Sequence, residues 1–433
     1  MRALASLLIL AALAAGCSNR ERANPFDPDN PATHGHPAGF VALAGDQAVT
    51  LQWNQASAPD LVGYQLYRAL ATDTGFVPIS VVLPPSTTTF HDFGLLNGAD
   101  HRYRLYFVFT SGRGPLPAED VATPGPIVPW VTDYQAGTLA RLTADGRHVA
   151  EVLTPVAGGT PAAIDVDIQA GAIWVCDPTS GAVSFYRPVL QSLSVFRNGF
   201  QTPRAVVVDS VDHTAWVGDD GFDLVQHVTS FGTPAGSSQF ADSPLGLALE
   251  PVTRALWICE RAGNRVRQVN GTGGWVTNMA APTHVAVDSV TQFGWISSFA
   301  STKVRVLSAT GTPVDSIGGF DGPIGIAVDS RRGRVWVCDP NVNQVLAFRR
   351  NRTLEFRVTG MAGAHEIAVD PESGEAWVTL GLGGAVARLS TTGTVIRVLG
   401  GFAEPFGIAL DVPGRRAGQG PGPATMRLAG SAR

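Results

Sequence analysis

Seven tryptophans recur along residues 127–412 at nearly constant spacing. They are Trp130, Trp174, Trp216, Trp257, Trp295, Trp336 and Trp377, separated by 44, 42, 41, 38, 41 and 41 residues. A second marker keeps step with them. It reads Pro323-Ile324-Gly325-Ile326-Ala327-Val328-Asp329 in one copy and recurs ending at Asp167, Asp209, Glu250, Asp288, Asp370 and Asp411. From Asp167 to Asp370, each acid precedes its Trp by seven residues. A period near 41 residues means one supersecondary unit copied and stacked, because no single copy can bury its own apolar face.

Each copy has the chemistry of strands. In Ile326-Ala327-Val328-Asp329 the branched residues share one face and Ala327 stays small on the other; in Trp336-Val337-Cys338-Asp339 the Trp and Cys share a face. Two more strands follow, typified by Gln344–Phe348 and Thr353–Val358. Four short strands per repeat make one blade of a β-propeller. The two ends are complementary. Phe406–Asp411 is an inner-type strand with no Trp strand after it, and Trp130–Asp133 is a Trp strand with no inner strand before it. Their pairing predicts a seven-bladed β-propeller closed by its C-terminal strand, with only short, protected edges. The Pro-x-Gly-Ile-Ala-Val-Asp and Trp-Val-x-Asp pattern resembles NHL-type propeller repeats. That resemblance implies the fold and leaves the activity open, since one fold hosts many.

Residues 38–125 differ. Val49–Trp53, Gly63–Arg68 and His101–Phe107 alternate apolar and polar with period two, separated by turn signals such as Leu95-Leu96-Asn97-Gly98. The placement of Trp53, Gly63-Tyr64-Gln65-Leu66-Tyr67-Arg68 and that turn resembles a fibronectin type III domain. The resemblance implies an N-terminal β-sandwich, so the fold class is all-β throughout. His101 stands where that family usually has its corner tyrosine, and is expected to be a satisfied structural group. Ser111-Gly112-Arg113-Gly114 lacks the acid that integrin-type adhesion requires.

The chain opens with Met1-Arg2, an apolar run Ala3–Ala15, and Leu13-Ala14-Ala15-Gly16-Cys17. This run of thirteen residues, apolar but for Ser6, is too short to span roughly 30 Å of hydrocarbon, and fits a secretory signal instead. The small residues before Cys17 resemble a bacterial lipobox. That resemblance implies a signal peptide over 1–16, lipidation of Cys17 as a membrane anchor, and, with Ser18 following, the outer membrane of the envelope. Residues 17–37 are Pro-rich and read as an extended tether of Asx-turns. Residues 413–433 are Gly/Pro-rich, carry four Arg and no acid, and read as a disordered tail.

Charge excludes one class of partner. Lys and Arg total 31 against 36 Asp and Glu, a net charge of −5, so nothing draws the chain to nucleic acid. Cysteines exclude a disulfide framework. Cys176, Cys259 and Cys338 take the third position of the Trp motif in alternate repeats, too far apart to bridge, and are expected to be buried free thiols. The acid ending that motif (Asp133, Asp177, Asp219, Glu260, Asp339) is expected to cap the following turn.

Ligands of propellers usually bind on the face where the inner strands begin. Most residues there are bland. Arg204, His284, His365 and Glu366 are not, and Glu260, Arg261 and Asn264 lie in a turn on the same face, as do Asp219 and Asp220. The candidate ligand-binding set is therefore Arg204, Glu260, Arg261, His284, His365 and Glu366, suited to an anionic ligand or a metal. His284 and His365 fall in repeats two apart, so sequence does not require them to meet. No nucleophile elbow, His-Glu-x-x-His helix, Walker loop or dinucleotide fingerprint occurs. No catalytic residue, cofactor or dedicated metal site is assigned. The expectation is an exported, lipid-anchored binding protein whose propeller face presents loops to a protein, glycan or small ligand. The alternatives are a metal-dependent propeller enzyme of lactonase or lyase type, and a structural envelope component.

Overall fold

The computed structural model describes residues 26–30, 34–196, 199–269 and 276–413. Cys17, the signal segment, most of the tether and residues 414–433 lie outside them. The chain divides into two compact units, residues 1–125 and 126–433.

The first unit has two antiparallel sheets. One joins Val41–Gly45, Ala48–Gln52 and Thr89–Phe93. The other is built on Leu61–Leu70 paired along His101–Phe109, with Ala118–Ala122 on the far side. The period-two alternation sends Leu51, Tyr64, Leu66, Leu105 and Phe107 into a shared core, where Trp53 lies 5.5 Å from Tyr64 between ring centroids. Arg68 binds both oxygens of Asp92 at 2.7 Å, and the Tyr103 hydroxyl donates to Asp92 at 2.9 Å. His101 is buried, but neither ring nitrogen has a hydrogen-bond partner among the described residues, so it is not the satisfied group expected. Burial and the Arg68 charge push its pKa down, which keeps the ring neutral. The tether is not wholly extended either. Asp27 Oδ1 accepts the Asp29 N–H at 2.9 Å, an Asx-turn, and Phe26 packs edge-on against Phe107 and Phe109 at 4.6 and 5.1 Å.

The second unit holds seven four-stranded antiparallel sheets among the described residues. We number them by chain order. Sheet 1 contains Val128–Asp133, Thr138–Leu142 and Val149–Leu153, and its innermost strand is Pro405–Asp411. Sheets 2 to 7 begin with inner strands Ile164–Asp167, Pro203–Asp209, Pro244–Leu249, His284–Val287, Ile326–Asp329 and Ala364–Val369. The last strand zips antiparallel to the first, with Ile408 opposite Val131 and Asp411 opposite Val128. Each inner strand packs against the next, and that of sheet 7 against Pro405–Asp411, so the inner strands form a closed circle.

Seven hydrophobic clusters fill the seven gaps. Trp377 and Val386 of sheet 7 meet Val131, Leu142 and Ile408 of sheet 1, and Trp336 of sheet 6 packs into sheet 7. All seven repeat tryptophans are buried. This is why the Trp register is so strict: each indole fills the seam between two sheets. Losing one would open a cavity costing about 3–5 kcal/mol.

The third position of the Trp motif does more than stay small. Thr132 donates from Oγ1 to the Ala162 carbonyl of sheet 2 at 2.7 Å, and Thr379 to the Phe406 carbonyl of sheet 1 at 2.7 Å. Ser297 donates to the Ile324 carbonyl of sheet 6, and Cys176 Sγ to the Ala205 carbonyl of sheet 3 at 3.5 Å. These side chains stitch neighbouring inner strands together. The three cysteines are free and fully buried, and burial pushes each thiol pKa well up.

The motif acids hold loops. Asp219 accepts the backbone N–H groups of Gln201 and Thr202 at 2.7 and 2.9 Å, and Asp133 those of Ala403 and Glu404 at 2.7 and 2.8 Å. Each carboxylate fastens the segment that leads into its own sheet's inner strand. On the opposite face, the acids that end the inner strands pair with basic side chains from neighbouring sheets. His213 lies 2.7 Å from Asp167, Arg254 pairs with Asp209, and Arg350 lies 2.5 Å from Asp288.

Candidate ligand site at the channel mouth

The inner strands begin around a cavity of about 1150 Å³. Aligned on the repeat marker, the residues four places before its closing acid are Ala163, Ala205, Gly246, His284, Gly325, Glu366 and Gly407. Five are Gly or Ala because backbones crowd there. A Cβ on Gly325 would stand 2.3 Å from the His365 carbonyl oxygen and 2.9 Å from Glu366 Cα. One on Gly246 would stand 2.8 Å from His284 Cα. The two large residues at this level, His284 and Glu366, lie in sheets 5 and 7 on either side of Gly325.

They meet. Nε2 of His284 lies 3.1 Å from Oε2 of Glu366, and both side chains are about three-quarters buried. The structure thus joins two repeats that sequence left unconnected. Burial alone would drive charge off both groups, but their mutual attraction outweighs it. The Glu366 carboxylate holds His284 above its ordinary range, and the His284 imidazolium holds Glu366 below its own. The other nitrogen of His284, Nδ1, is buried without a partner among the described residues. His365 behaves oppositely. Burial drives its pKa down to about 4 and the His284 charge adds to this, against the opposing pull of Glu366; its ring rests 3.8 Å from that of Phe406.

Of the sequence candidates, Arg204, Arg261, His284, His365 and Glu366 line this cavity. Arg204 is tied to Asp220 at 3.1 Å. Arg261 is exposed, with no side-chain partner among the described residues. Glu260 is placed elsewhere. It is fully buried, 2.6 Å from Arg265 and 2.5 Å from Arg267, and accepts the Asp242 N–H at 3.0 Å. It is the loop-holding acid of its repeat, so its removal from the ligand set follows from the same register that gives Asp219 that role. Asn264 serves its own turn, with a left-handed backbone and Oδ1 accepting the Ala281 N–H at 2.9 Å.

Sequence reasoning missed four groups. Phe299 and Leu382 project from the turns after the Trp strands of sheets 5 and 7, and both line the cavity while 52% and 84% exposed. Glu404, just before the closing strand, lines it too and has no side-chain partner among the described residues. Asp165 sits mid-strand in sheet 2, where the other inner strands carry Val or Ala. Its carboxylate accepts the N–H of Val208 in sheet 3 at 2.7 Å and its own neighbour's at 2.8 Å. Burial raises its pKa to about 6. That solitary acid in an apolar register was the signal available. Among the described residues, no group of three or more His, Cys, Asp or Glu is placed to hold a metal ion.

No family model and no curated protein matches this chain. Solved structures do. A protein of unknown function from Desulfotomaculum acetoxidans is similar at 14% identity, TM-score 0.56, over 66% of this chain and 99% of that one. A protein from Lactobacillus plantarum is similar at 12% identity, TM-score 0.55, over 66% and 98%. Virginiamycin B lyase from Staphylococcus aureus is similar at 16% identity, TM-score 0.51, over 60% and 94%. At these identities the likeness is one of fold, and the fold is the β-propeller.

Proposed function

We propose that this protein is a binding protein whose propeller mouth takes a small ligand. The observation that carries the reading is the state of the His284–Glu366 pair. Nε2 of His284 is held by Glu366 and Nδ1 is buried. The pair is thereby a matched, fixed polar feature on the cavity wall, of the kind that orients a bound ligand. Around it stand apolar walls with a few polar groups, the composition of ligand pockets in general. Export, lipidation at Cys17 and residence in the outer membrane complete the reading, and rest on the N-terminal sequence. The NHL-like repeat pattern supports reading the ring as seven blades around the channel, with residues 38–125 as a fibronectin type III-like spacer.

A thermal-shift screen of small molecules on the full chain tests the binding claim. Hits are expected to lose their stabilising effect in Arg261→Ala and His284→Ala proteins. Hits that stabilise both variants as they stabilise the parent would overturn the reading.

A further inference from the structure

Resting on that reading, the charges of the mouth say what kind of ligand it takes. Most of its ionised groups are already matched: Arg204 by Asp220, His284 by Glu366. Two are not. Arg261 follows the Trp strand of sheet 4, and Glu404 precedes the inner strand of sheet 1. Neither has a side-chain partner among the described residues, and both line the cavity. Sheets 1 and 4 are three steps apart in a circle of seven, so the two charges stand on nearly opposite sides of the mouth.

The two ways round from one charge to the other differ. Through sheets 5 to 7 the turns after the Trp strands set Phe299 and Leu382, 52% and 84% exposed, against the cavity. The corresponding turns of sheets 2 and 3 do not line it, so the apolar arc lies on one side only. The Cγ of Glu404 lies 4.0 Å from where a Cβ would sit on Gly381, so this carboxylate is at one end of the arc. Asn341 within the arc and Gln135 beyond its Glu404 end offer side-chain amides to the cavity, without partners among the described residues. A lone cation would be satisfied by a simple anion. An unmatched cation and an unmatched anion across an apolar arc, with amides alongside, ask for a ligand carrying both charges at its ends.

We propose that the mouth binds a short linear peptide with free termini and apolar side chains, its carboxylate at Arg261 and its ammonium at Glu404. A cavity of about 1150 Å³ holds a few residues. The amides would meet the peptide groups, and the Phe299–Leu382 arc the side chains.

The test is calorimetry on the full chain with the tripeptide Phe-Leu-Phe, its N-acetylated form and its C-amidated form. Amidation is expected to weaken binding about tenfold in the parent and to have no effect in Arg261→Gln. Acetylation is expected to weaken it about tenfold in the parent and to have no effect in Glu404→Gln. Both substitutions are at solvent-accessible positions, so folding is retained. Capped peptides that bind as tightly as the free one, or capping losses that persist in the matching variant, would overturn the proposal. If the tripeptide fails to bind while screening hits still depend on Arg261 and His284, the peptide claim falls and the mouth remains a site. If neither peptide nor hits depend on mouth residues, both fall.

Discussion

Nε2 of His284 and Oε2 of Glu366 lie 3.1 Å apart although an entire sheet separates their strands. They span it above Gly325, whose missing side chain lets the His365–Glu366 backbone come close. Both residues replace a small one at the same register position. Neither could be accommodated with its charge unmatched in so confined a wall.

The pair sets a titration. His284 is expected to titrate above its ordinary value near 6.5, and to fall below it in Glu366→Gln, where burial acts unopposed. The sign for stability follows. The raised His284 contributes fully below its unfolded pKa, and that contribution is lost as pH rises through the raised value. The lowered Glu366 contributes above its unfolded value near 4.5, and that is lost as pH falls through the lowered one. Histidine NMR titration checks the first statement, and melting curves across pH the second.

Gly325→Ala should destabilise the ring by about 1–3 kcal/mol, because the new Cβ meets backbone that cannot rotate away. Gly381→Ala, whose Cβ would find nothing nearer than 3.7 Å, should be near neutral. Denaturant unfolding of both proteins measures the contrast. Equal effects would mean that the close approach of sheets 6 and 7 is mistaken.

Thr132 closes the circle from two sides. Besides donating to Ala162, its hydroxyl accepts the Gly407 N–H of the C-terminal strand at 2.8 Å. Thr132→Val leaves both backbone groups buried and unpaired, and should cost about 1–3 kcal/mol, while Thr132→Ser should recover most of it. Removing residues 405–433 takes away the inner strand of sheet 1 altogether, and is expected to abolish cooperative unfolding.

Asp165 gives a pH dependence of opposite sense to the usual carboxylate. Its folded pKa near 6 exceeds the ordinary 3.8, so its contribution is present below about pH 4 and is lost as pH rises through about 6. The parent should therefore lose stability across that window relative to Asp165→Asn, even though the amide pairs less well with the Val166 and Val208 N–H groups. Melting temperatures at pH 4 and pH 7 for both proteins test this.

In a Cys17→Ser background, the three buried thiols should not react with a thiol reagent until the protein is unfolded.

Much of this was legible in the residues themselves. The strict Trp spacing reports seams that accept one indole each, so period and register survive in the sequence. The complementary half-repeats at Trp130 and Phe406 gave away the closure. The site was legible only as a set of misfits: His284 and Glu366 stand out against Gly and Ala, but their partnership depends on how sheets 5 and 7 converge over Gly325. Glu260 misled because an acid in a turn on the right face looks the same whether it faces solvent or, as here, two arginines from the next strand. Phe299 and Leu382 escaped notice because an exposed apolar residue in a single turn carries no signal; only their alignment around the mouth does.

The central claim is that this mouth is where the protein meets its ligand, and a crystal structure with a bound screening hit tests it most directly. The account requires difference density inside the mouth, against Arg261, His284 and Glu366. Density on the outer strands, on the opposite face or on the N-terminal unit, with the mouth filled only by water, would contradict it.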